Sequence, residues 1–337
     1  MSKSVFHRDD SVGESGCNPG TGVSAREPEP IIAVSSAIRQ AISEASQTAP
    51  ASIPILLVGP TGTGKDLFAR HIHRWSGRTG RLVAVNCGAL PRDLVEGLLF
   101  GAVRGVYTGA LDRAGIIEAA NRGTLFLDEL LALPDEAQVK LLRVLDGGEV
   151  VRLGQTMGRH VTFGLVAAAQ DDIGDQLRKG TFRLDLYQRV AGIVIRLPAL
   201  AARPEDIVPL ARYFAEMRGR LLSLEAKRIL LDHPWPGNVR ELRTVIERSM
   251  CLTDDQQLSP TTLRRAIELG AWALVEPPQP GRPQVGLATE RELLLEALKT
   301  HRWHAGRTAK ALGIGRTTLF RRLKVLHLSL RWPFELS

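Results

Sequence analysis

The stretch "IPILLVGPTGTGKDLFARHIHRW" (53–75) constrains the fold more than any other part of the chain. A short apolar run, a glycine-rich turn and a helix-length segment follow one another without a break. In that order they read as a strand feeding a helix, the opening of a βαβ unit. The turn "GPTGTGKD" (59–66) fits G-x-x-x-x-G-K, and only its last position departs from the usual pattern. Gly59, Pro60, Thr61, Gly62, Thr63 and Gly64 would let the backbone wrap phosphate oxygens, with N–H groups and the helix N-terminus supplying positive potential. Lys65 would reach the β- and γ-phosphates of a nucleotide such as ATP. Asp66 stands where a Ser or Thr is usual, and a carboxylate there is an awkward phosphate neighbour. A plain Gly-rich turn is the competing reading; the flanking strand and helix weigh against it.

The next question is whether an acidic strand end accompanies the loop. "GTLFLDE" (123–129) supplies one, about sixty residues downstream. An apolar strand ending in two carboxylates puts Asp128 where Mg²⁺ would sit, and Glu129 where it could polarise an attacking water. "LVAVNC" and "VTFGLVAAA" add two more apolar strands, separated by helix-length segments. The region 31–200 is therefore expected to be an α/β domain with a mostly parallel sheet. Residues 201–270 read as helices only. Residues 271–287, with "EPPQPGRP" inside them, read as a Pro-rich linker, and 288–337 as short helices. Residues 1–30 are polar, Gly/Ser/Pro-rich and without periodicity, and are expected to be a disordered arm.

Composition narrows the setting. No run of 18 apolar residues exists, so neither a transmembrane helix nor a membrane partner is expected. The N-terminus lacks the apolar stretch of a signal peptide. Three cysteines, Cys17, Cys87 and Cys251, lie far apart without metal spacing, which points to the cytoplasm. The formal charge is +8, and residues 288–337 carry ten Lys/Arg against four Asp/Glu. A basic C-terminal module makes nucleic acid the first suspect as its partner.

"GAVRGVYTGALDRAG" (101–115) fits no catalytic pattern. It has four glycines, and a lone aromatic at its tip, between the phosphate loop and the acidic strand end. Together with "VGPTGTGKDLFARHIH", "VAVNCGAL", "GTLFLDEL", "FRLDLYQRV" and "HPWPGNVREL", it resembles the AAA+ domain of bacterial enhancer-binding proteins, the activators of sigma-54 RNA polymerase. The resemblance covers about 31–267 and resumes near the C-terminus. It implies an α/β AAA+ P-loop ATPase domain with an α-helical lid, followed by an all-α helix-turn-helix domain of Fis type. It implies ATP and Mg²⁺ as cofactors, and Asp66 then follows a family habit of an acidic residue after the lysine. Asn86 resembles the switch asparagine that holds the catalytic Glu according to nucleotide state. Arg183 and Arg189 match arginine fingers, which reach a neighbouring subunit's γ-phosphate, and Arg240 resembles the second sensor carried by the lid. Gly105, Val106, Tyr107, Thr108, Gly109 and Ala110 resemble the family's GAFTGA loop, which touches sigma-54. Val106 and Tyr107 depart from the usual Ala and Phe, so the aromatic ring is kept and gains a hydroxyl.

A larger departure concerns the first sensor. The fourth strand usually ends in Ala-Thr-Asn; here it ends "VAAAQDD", so Ala169 and Gln170 stand in. In the C-terminal module, "AGRTAKALG" suits a first helix, "GIG" a turn and "RTTLFRRLKVL" a recognition helix. Arg316, Thr317, Thr318, Arg321, Arg322 and Lys324 would face DNA. The family implies binding to enhancer DNA and self-association into a ring of six, of one chain or mixed with a paralogue. Thirty polar residues are too few for a sensory domain. Control is expected from outside, through expression level, a trans-acting repressor or a co-activator. The leading expectation is an ATPase that remodels the sigma-54 closed complex into an open one. The alternative is a sigma-54-independent DNA-binding regulator of the same lineage, in which ATP binding controls oligomerisation.

Overall fold

A computed structural model describes residues 28–106 and 112–270, and in the C-terminal segment 294, 297, 298, 300 and 304–311. The chain divides into two compact units at 275/276, each taken by itself below.

The first unit is built on five parallel strands in the order β2-β5-β8-β1-β9. They are β1 (Ile55–Val58), β2 (Leu82–Asn86), β5 (Thr124–Asp128), β8 (Gly164–Ala169) and β9 (Ile193–Arg196). Central β1, β5 and β8 are apolar nearly throughout because both faces of a parallel sheet are covered. On one face Phe68, Ala69 and Ile72 of α2 (Lys65–Trp75) pack with Ile38, Ala41 and Ala45 of α1 (Ser36–Thr48). On the other, Leu141 and Val144 of α5 (Asp135–Gly147) pack with Leu186 and Val190 of α7 (Leu184–Val190). Strand β9 was missed in the sequence reading. Unlike β1, of the same length, it is not buried throughout: Val194 and Arg196 are exposed on this edge strand.

A parallel sheet places every strand's C-terminal end along one rim, and that rim is where ligands bind in open α/β folds. Here it gathers the turn after β1, Asn86 at the end of β2, Asp128 at the end of β5 and Ala169 at the end of β8.

Between β2 and β5, α3 (Val95–Phe100) leads into a two-residue ribbon of β3 (Gly101–Ala102) and β4 (Arg113–Ala114), followed by α4 (Ile116–Ala119). The ribbon is the root of the glycine-rich loop. A second ribbon, β6 (Glu149–Val150) with β7 (Arg159–His160), lies beside it, and Val103 N–H donates to the Leu153 carbonyl at 3.1 Å. Of the six loop residues singled out from the sequence, Gly105 and Val106 are described. Tyr107, Thr108, Gly109 and Ala110 lie outside the described residues.

After β9 come α8 (Pro204–Glu216), α9 (Leu224–Asp232), α10 (Asn238–Cys251) and α11 (Pro260–Glu268) around a core of Trp235, Leu242, Ile246 and Leu263. The expectation of helices alone needs a correction here. Leu221–Leu222 pairs in parallel with Gln257–Leu258, a two-residue contact that closes the bundle. Two-residue strands leave no period in a sequence. The polar arm was expected to run to residue 30, yet Glu29 is already bonded into the fold: its carbonyl accepts from His71 at 2.8 Å. Residues 1–27 and the linker 271–287 lie outside the described residues.

In the second unit, a helix spans Ala305–Ala311, where the first helix of the helix-turn-helix was expected. His304 opens it, accepting from Arg307 and Thr308 N–H through its carbonyl at 3.0 Å each. Arg316, Thr317, Thr318, Arg321, Arg322 and Lys324 lie outside the described residues.

Candidate nucleotide site

One cleft of about 1470 Å³ opens on the strand-end rim. Its polar end is lined by Thr61 to Asp66, Asn86, Asp128, Glu129, Gln170 and Arg240; its apolar end by Ile31, Ile32, Leu210, Phe214 and Val239. A polar end rich in N–H groups and an apolar slot suit a molecule with phosphates at one end and a flat ring at the other.

The turn after β1 is held from both sides. Gly59 N–H donates to the Ala169 carbonyl at 3.2 Å, which ties the start of the turn to β8. Thr63 Oγ donates to the Pro60 carbonyl at 2.9 Å, and Lys65 Nζ donates to the Gly59 and Pro60 carbonyls at 2.6 and 3.0 Å. Gly62 is required twice over. Its φ is +78°, and a Cβ there would collide with the Gly237 carbonyl oxygen of the helical bundle. Burial pushes the Lys65 ammonium below its ordinary value, while Asp128 and Asp171 pull it back up. Asp66 pairs with Arg70 at 3.0 Å and stays half exposed. That pairing sets a cation against the Asp66 charge at the cleft.

At the end of β5, burial raises the Asp128 carboxyl pKa, against an N–H bond from Glu129 and the charge of Lys65. Glu129 sits at φ +51°, an uncommon backbone for a side-chain-bearing residue. Asn86 Oδ1 accepts from Ala89 N–H at 3.1 Å, so its amide caps the turn after β2. Ala169 is buried in the sheet core, and Gln170 presents the polar side chain at that strand end.

The bundle reaches the turn through α10. Arg240 N–H donates to the Gly62 carbonyl at 3.2 Å, and the Arg240 side chain lines the cleft. Asn238, not singled out from the sequence, is the pin of this junction. It is buried at φ +54°, donates from Nδ2 to the Thr61 carbonyl at 2.9 Å and accepts from Leu200 N–H at 2.7 Å. The sequence signal was present in "PGNVREL": Asn adopts the left-handed region more readily than most residues. Arg183 and Arg189 are not brought into this cleft. Arg183 pairs with Asp185 at 2.6 Å, and Arg189 donates to the Leu145 carbonyl at 2.7 Å and faces Asp146.

A second residue missed from the sequence is Arg152, largely buried between the two ribbons. It binds Glu118 through Nε at 2.6 Å and Asp112 through Nη1 at 3.0 Å, so one cation ties both ends of the loop's C-terminal root. Its guanidinium holds the Glu118 carboxyl below the usual range. Long-range pairs of this kind have no spacing to recognise.

Cys87 lies beside this rim with its thiol pKa pushed up to about 12, by burial first and then by Asp128 and Glu129. Brief iodoacetamide treatment of the native protein at pH 8, followed by peptide mapping, should label exposed Cys251 and leave Cys87 unmodified. Labelling of both at equal rates would contradict the burial of Cys87.

A P-loop on a five-stranded parallel sheet, with a helical bundle pinned across its mouth, defines a AAA+ ATPase. Comparison with known proteins narrows the class. Residues 31–196 match the Sigma-54 interaction domain, 201–272 the AAA+ ATPase lid domain, and 288–326 the Bacterial regulatory protein, Fis family. The chain is 39% identical over 290 residues to the pathogenicity locus probable regulatory protein HrpS of Pseudomonas savastanoi pv. phaseolicola, covering 82% of this chain and 90% of that protein. It is 45% identical over 232 residues to the sigma54-dependent transcriptional activator SfnR of Pseudomonas putida, covering 66% and 63%. Among solved structures, NtrX from Brucella abortus in complex with ATP matches at TM-score 0.63 and 30% identity, over 89% of this chain and 70% of that one. A RuvB mutant of Thermotoga maritima, at TM-score 0.50 and 16% identity over 88% and 89%, shares the fold alone. The chain belongs to the sigma-54-dependent transcriptional activators, AAA+ ATPases that carry a Fis-type DNA-binding module. Sigma-54 and DNA are therefore its partners. Among the described residues no helix is long and apolar enough to cross a membrane.

Proposed function

We propose that this chain assembles into a ring, six subunits by family habit, and spends ATP hydrolysis on driving the "GVYTGA" loop against sigma-54 in the cytoplasm. The observation that carries the reading is the division of the site. One cleft holds the P-loop, Asp128, Glu129 and Arg240, while Arg183 and Arg189 lie outside it on the same chain. Two arginines that match fingers but miss their own cleft suit action on a neighbour's γ-phosphate, which makes hydrolysis depend on assembly.

In this reading the Thr61–Lys65 backbone and Lys65 Nζ bind the phosphates, and Ile31, Ile32, Leu210 and Phe214 receive the base. Mg²⁺ fits the donor set. It is held in nucleotide sites by one or two carboxylates plus phosphate and water, and Asp128 supplies one half-buried carboxylate beside Lys65. When bound, the ion neutralises phosphate charge. Glu129 orients and polarises the attacking water. Asn86 senses the γ-phosphate state, Arg240 reports it to the lid, and Gln170 takes the place of the first sensor. Val106, Tyr107 and Thr108 carry the motion to sigma-54. Arg316, Thr317, Thr318, Arg321, Arg322 and Lys324 hold enhancer DNA. Control by a trans-acting repressor, or by a paralogue or co-activator in a mixed ring, fits a ring whose active sites are shared.

The test is ATP-dependent open-complex formation by purified sigma-54 holoenzyme on a sigma-54 promoter, with wild type and Thr108→Ala side by side. Wild type should open the promoter and Thr108→Ala should not. If wild type is inert with ATP where a known activator works, the sigma-54-independent alternative takes over. Ala169 and Gln170 are then the first suspects, because the buried Ala169 side chain forms no hydrogen bond and Gln170 alone must serve as the sensor.

A further inference from the structure

We infer that the rim of the sheet opposite the phosphate-binding turn is a second DNA contact, where Arg78, Arg81 and Arg122 hold the phosphate backbone of a duplex without reading its sequence. The two rims differ in charge. Asp128 ends β5, and Asp66, Glu129 and Asp171 lie just past strand ends on the nucleotide side. The five turns that lead into the strands at the other rim are residues 49–54, 76–81, 120–123, 161–163 and 191–192. They hold Arg78, Arg81 and Arg122 and no Asp or Glu. Glu118, the acid nearest Arg122 in sequence, is taken by Arg152 at 2.6 Å.

Backbone bonds bring the three arginines into one row. Arg81 precedes β2, and its carbonyl accepts from Thr124 N–H, at the start of β5, at 3.0 Å. Arg122 precedes β5. Its carbonyl accepts from Gly80 N–H at 3.0 Å, and its N–H donates to the Thr162 carbonyl, ahead of β8, at 2.6 Å. Arg78 continues the row. Its Nη2 donates to Ser52 Oγ, ahead of β1, at 2.8 Å, and a Cβ on Gly164, the first residue of β8, would lie 2.6 Å from its Nε. Strands β2, β5 and β8 are neighbours, so at about 4.8 Å per strand spacing the row is roughly 10 Å long. Each strand of a duplex presents one phosphate per about 3.4 Å of axis, so the row spans about three phosphates.

The charges are available to a partner. Arg81 and Arg122 are exposed and Arg78 is half-buried. Among the described residues no ion pair engages any of the three. Arg122 sits at φ +62°, a backbone that glycine adopts freely and a side-chain-bearing residue rarely does. A long cation held exposed on such a backbone points to a use for its charge rather than for the turn. His73 on α2 feels the same field: burial first, then the charge of Arg78, hold its imidazole below the ordinary value. Duplex DNA is the occupant that fits. Guanidinium forks match phosphate oxygens two at a time. The chain also carries a Fis-type module at 288–326, so a duplex held there is kept at raised local concentration for the rest of the chain. Backbone contacts of this kind add affinity and no base preference.

The experiment measures binding of the full chain to a duplex of about 60 base pairs of arbitrary sequence, over roughly 50 to 200 mM salt. Nucleotide is omitted, which keeps the nucleotide cleft, whose lining reaches Arg81 at its far end, out of the reading. Arg81→Gln/Arg122→Gly should weaken binding roughly 10- to 60-fold near about 0.1 M salt and flatten the slope of log K against log salt by about 2. Its unfolding midpoint should not fall, because glycine suits φ +62° at position 122. Arg228→Gln/Arg264→Gln removes the same charge from exposed positions on the lid and should leave the slope within about 0.5 of wild type. A slope that the rim variant leaves unchanged overturns the proposal. So does an equal flattening in the lid variant, because the effect would then be one of net charge. A rim variant that keeps its DNA slope and loses self-association in sedimentation overturns it as well, since the row would then meet a second copy of the chain.

Discussion

Glu129→Gln is expected to lower ATP turnover by roughly 10²- to 10⁴-fold while nucleotide affinity holds or tightens. The argument is one of charge at constant shape. Gln keeps the length of the side chain and its reach from the left-handed backbone at φ +51°. It loses the negative charge that would take proton density from an attacking water. The same charge repels the γ-phosphate in the ground state, so its removal cannot weaken binding through electrostatics. Asp128 should behave differently. Its burial raises its pKa and it faces Lys65, so Asp128→Asn should weaken Mg²⁺-dependent binding as well as turnover. Separate measurement of kcat and Kd checks both. A Glu129→Gln protein within about threefold of wild-type kcat would remove Glu129 from the chemistry.

Such a variant also probes the ring. With hydrolysis blocked and binding intact, subunits should stay assembled around nucleotide. Added in substoichiometric amounts, Glu129→Gln should depress the open-complex yield of wild type more than dilution does.

The elements read from the sequence and those missed differ in a physical way. The P-loop was legible because its chemistry needs fixed residue types at fixed offsets between a strand and a helix. Asp128 and Glu129 were legible because an apolar strand ending in two acids is uncommon without a cation nearby. The parallel sheet followed from apolar runs alternating with helix-length segments. What escaped depends on contacts between distant residues. Arg152 reaches Asp112 and Glu118 from 40 and 34 positions away. Asn238 joins Thr61 and Leu200 across 177 and 38 positions. The pairing of Asp66 with Arg70 was available as an i,i+4 pair, and gives the Asp66 charge a partner on its own helix. Strand β9 is as short as β1 but has no glycine-rich loop behind it to mark it, and the β10–β11 contact (Leu221–Leu222 with Gln257–Leu258) is too short to register as a pattern.

Arg203→Met is expected to lower the unfolding midpoint of the first unit by about 10 °C, the second large effect. Arg203 and Asp206 are both buried, at 3% and 0% exposure, and lie 3.8 Å apart. Asp206 is the hub where three parts of the chain meet. It accepts from Val34 N–H and Ser35 N–H at 2.7 Å each and from Ser35 Oγ at 2.6 Å, all at the start of α1. Arg203 in turn donates to the Thr63 carbonyl at 3.1 Å, so the chain before α1, the P-loop and α8 are tied at one buried point. Burial depresses the Arg203 pKa, with Asp206 acting against it. Removal of the cation leaves a carboxylate buried without its counter-charge, which costs about 3–5 kcal/mol where it has been measured in other proteins. The double variant Arg203→Met/Asp206→Asn should recover part of the loss, because no net charge then remains buried, although Asn holds its N–H donors less strongly. Thermal unfolding of the two single variants and the double variant reads the coupling directly. Single variants that melt within about 2 °C of wild type would mean that water reaches the pair and that the three segments are held together by apolar packing alone.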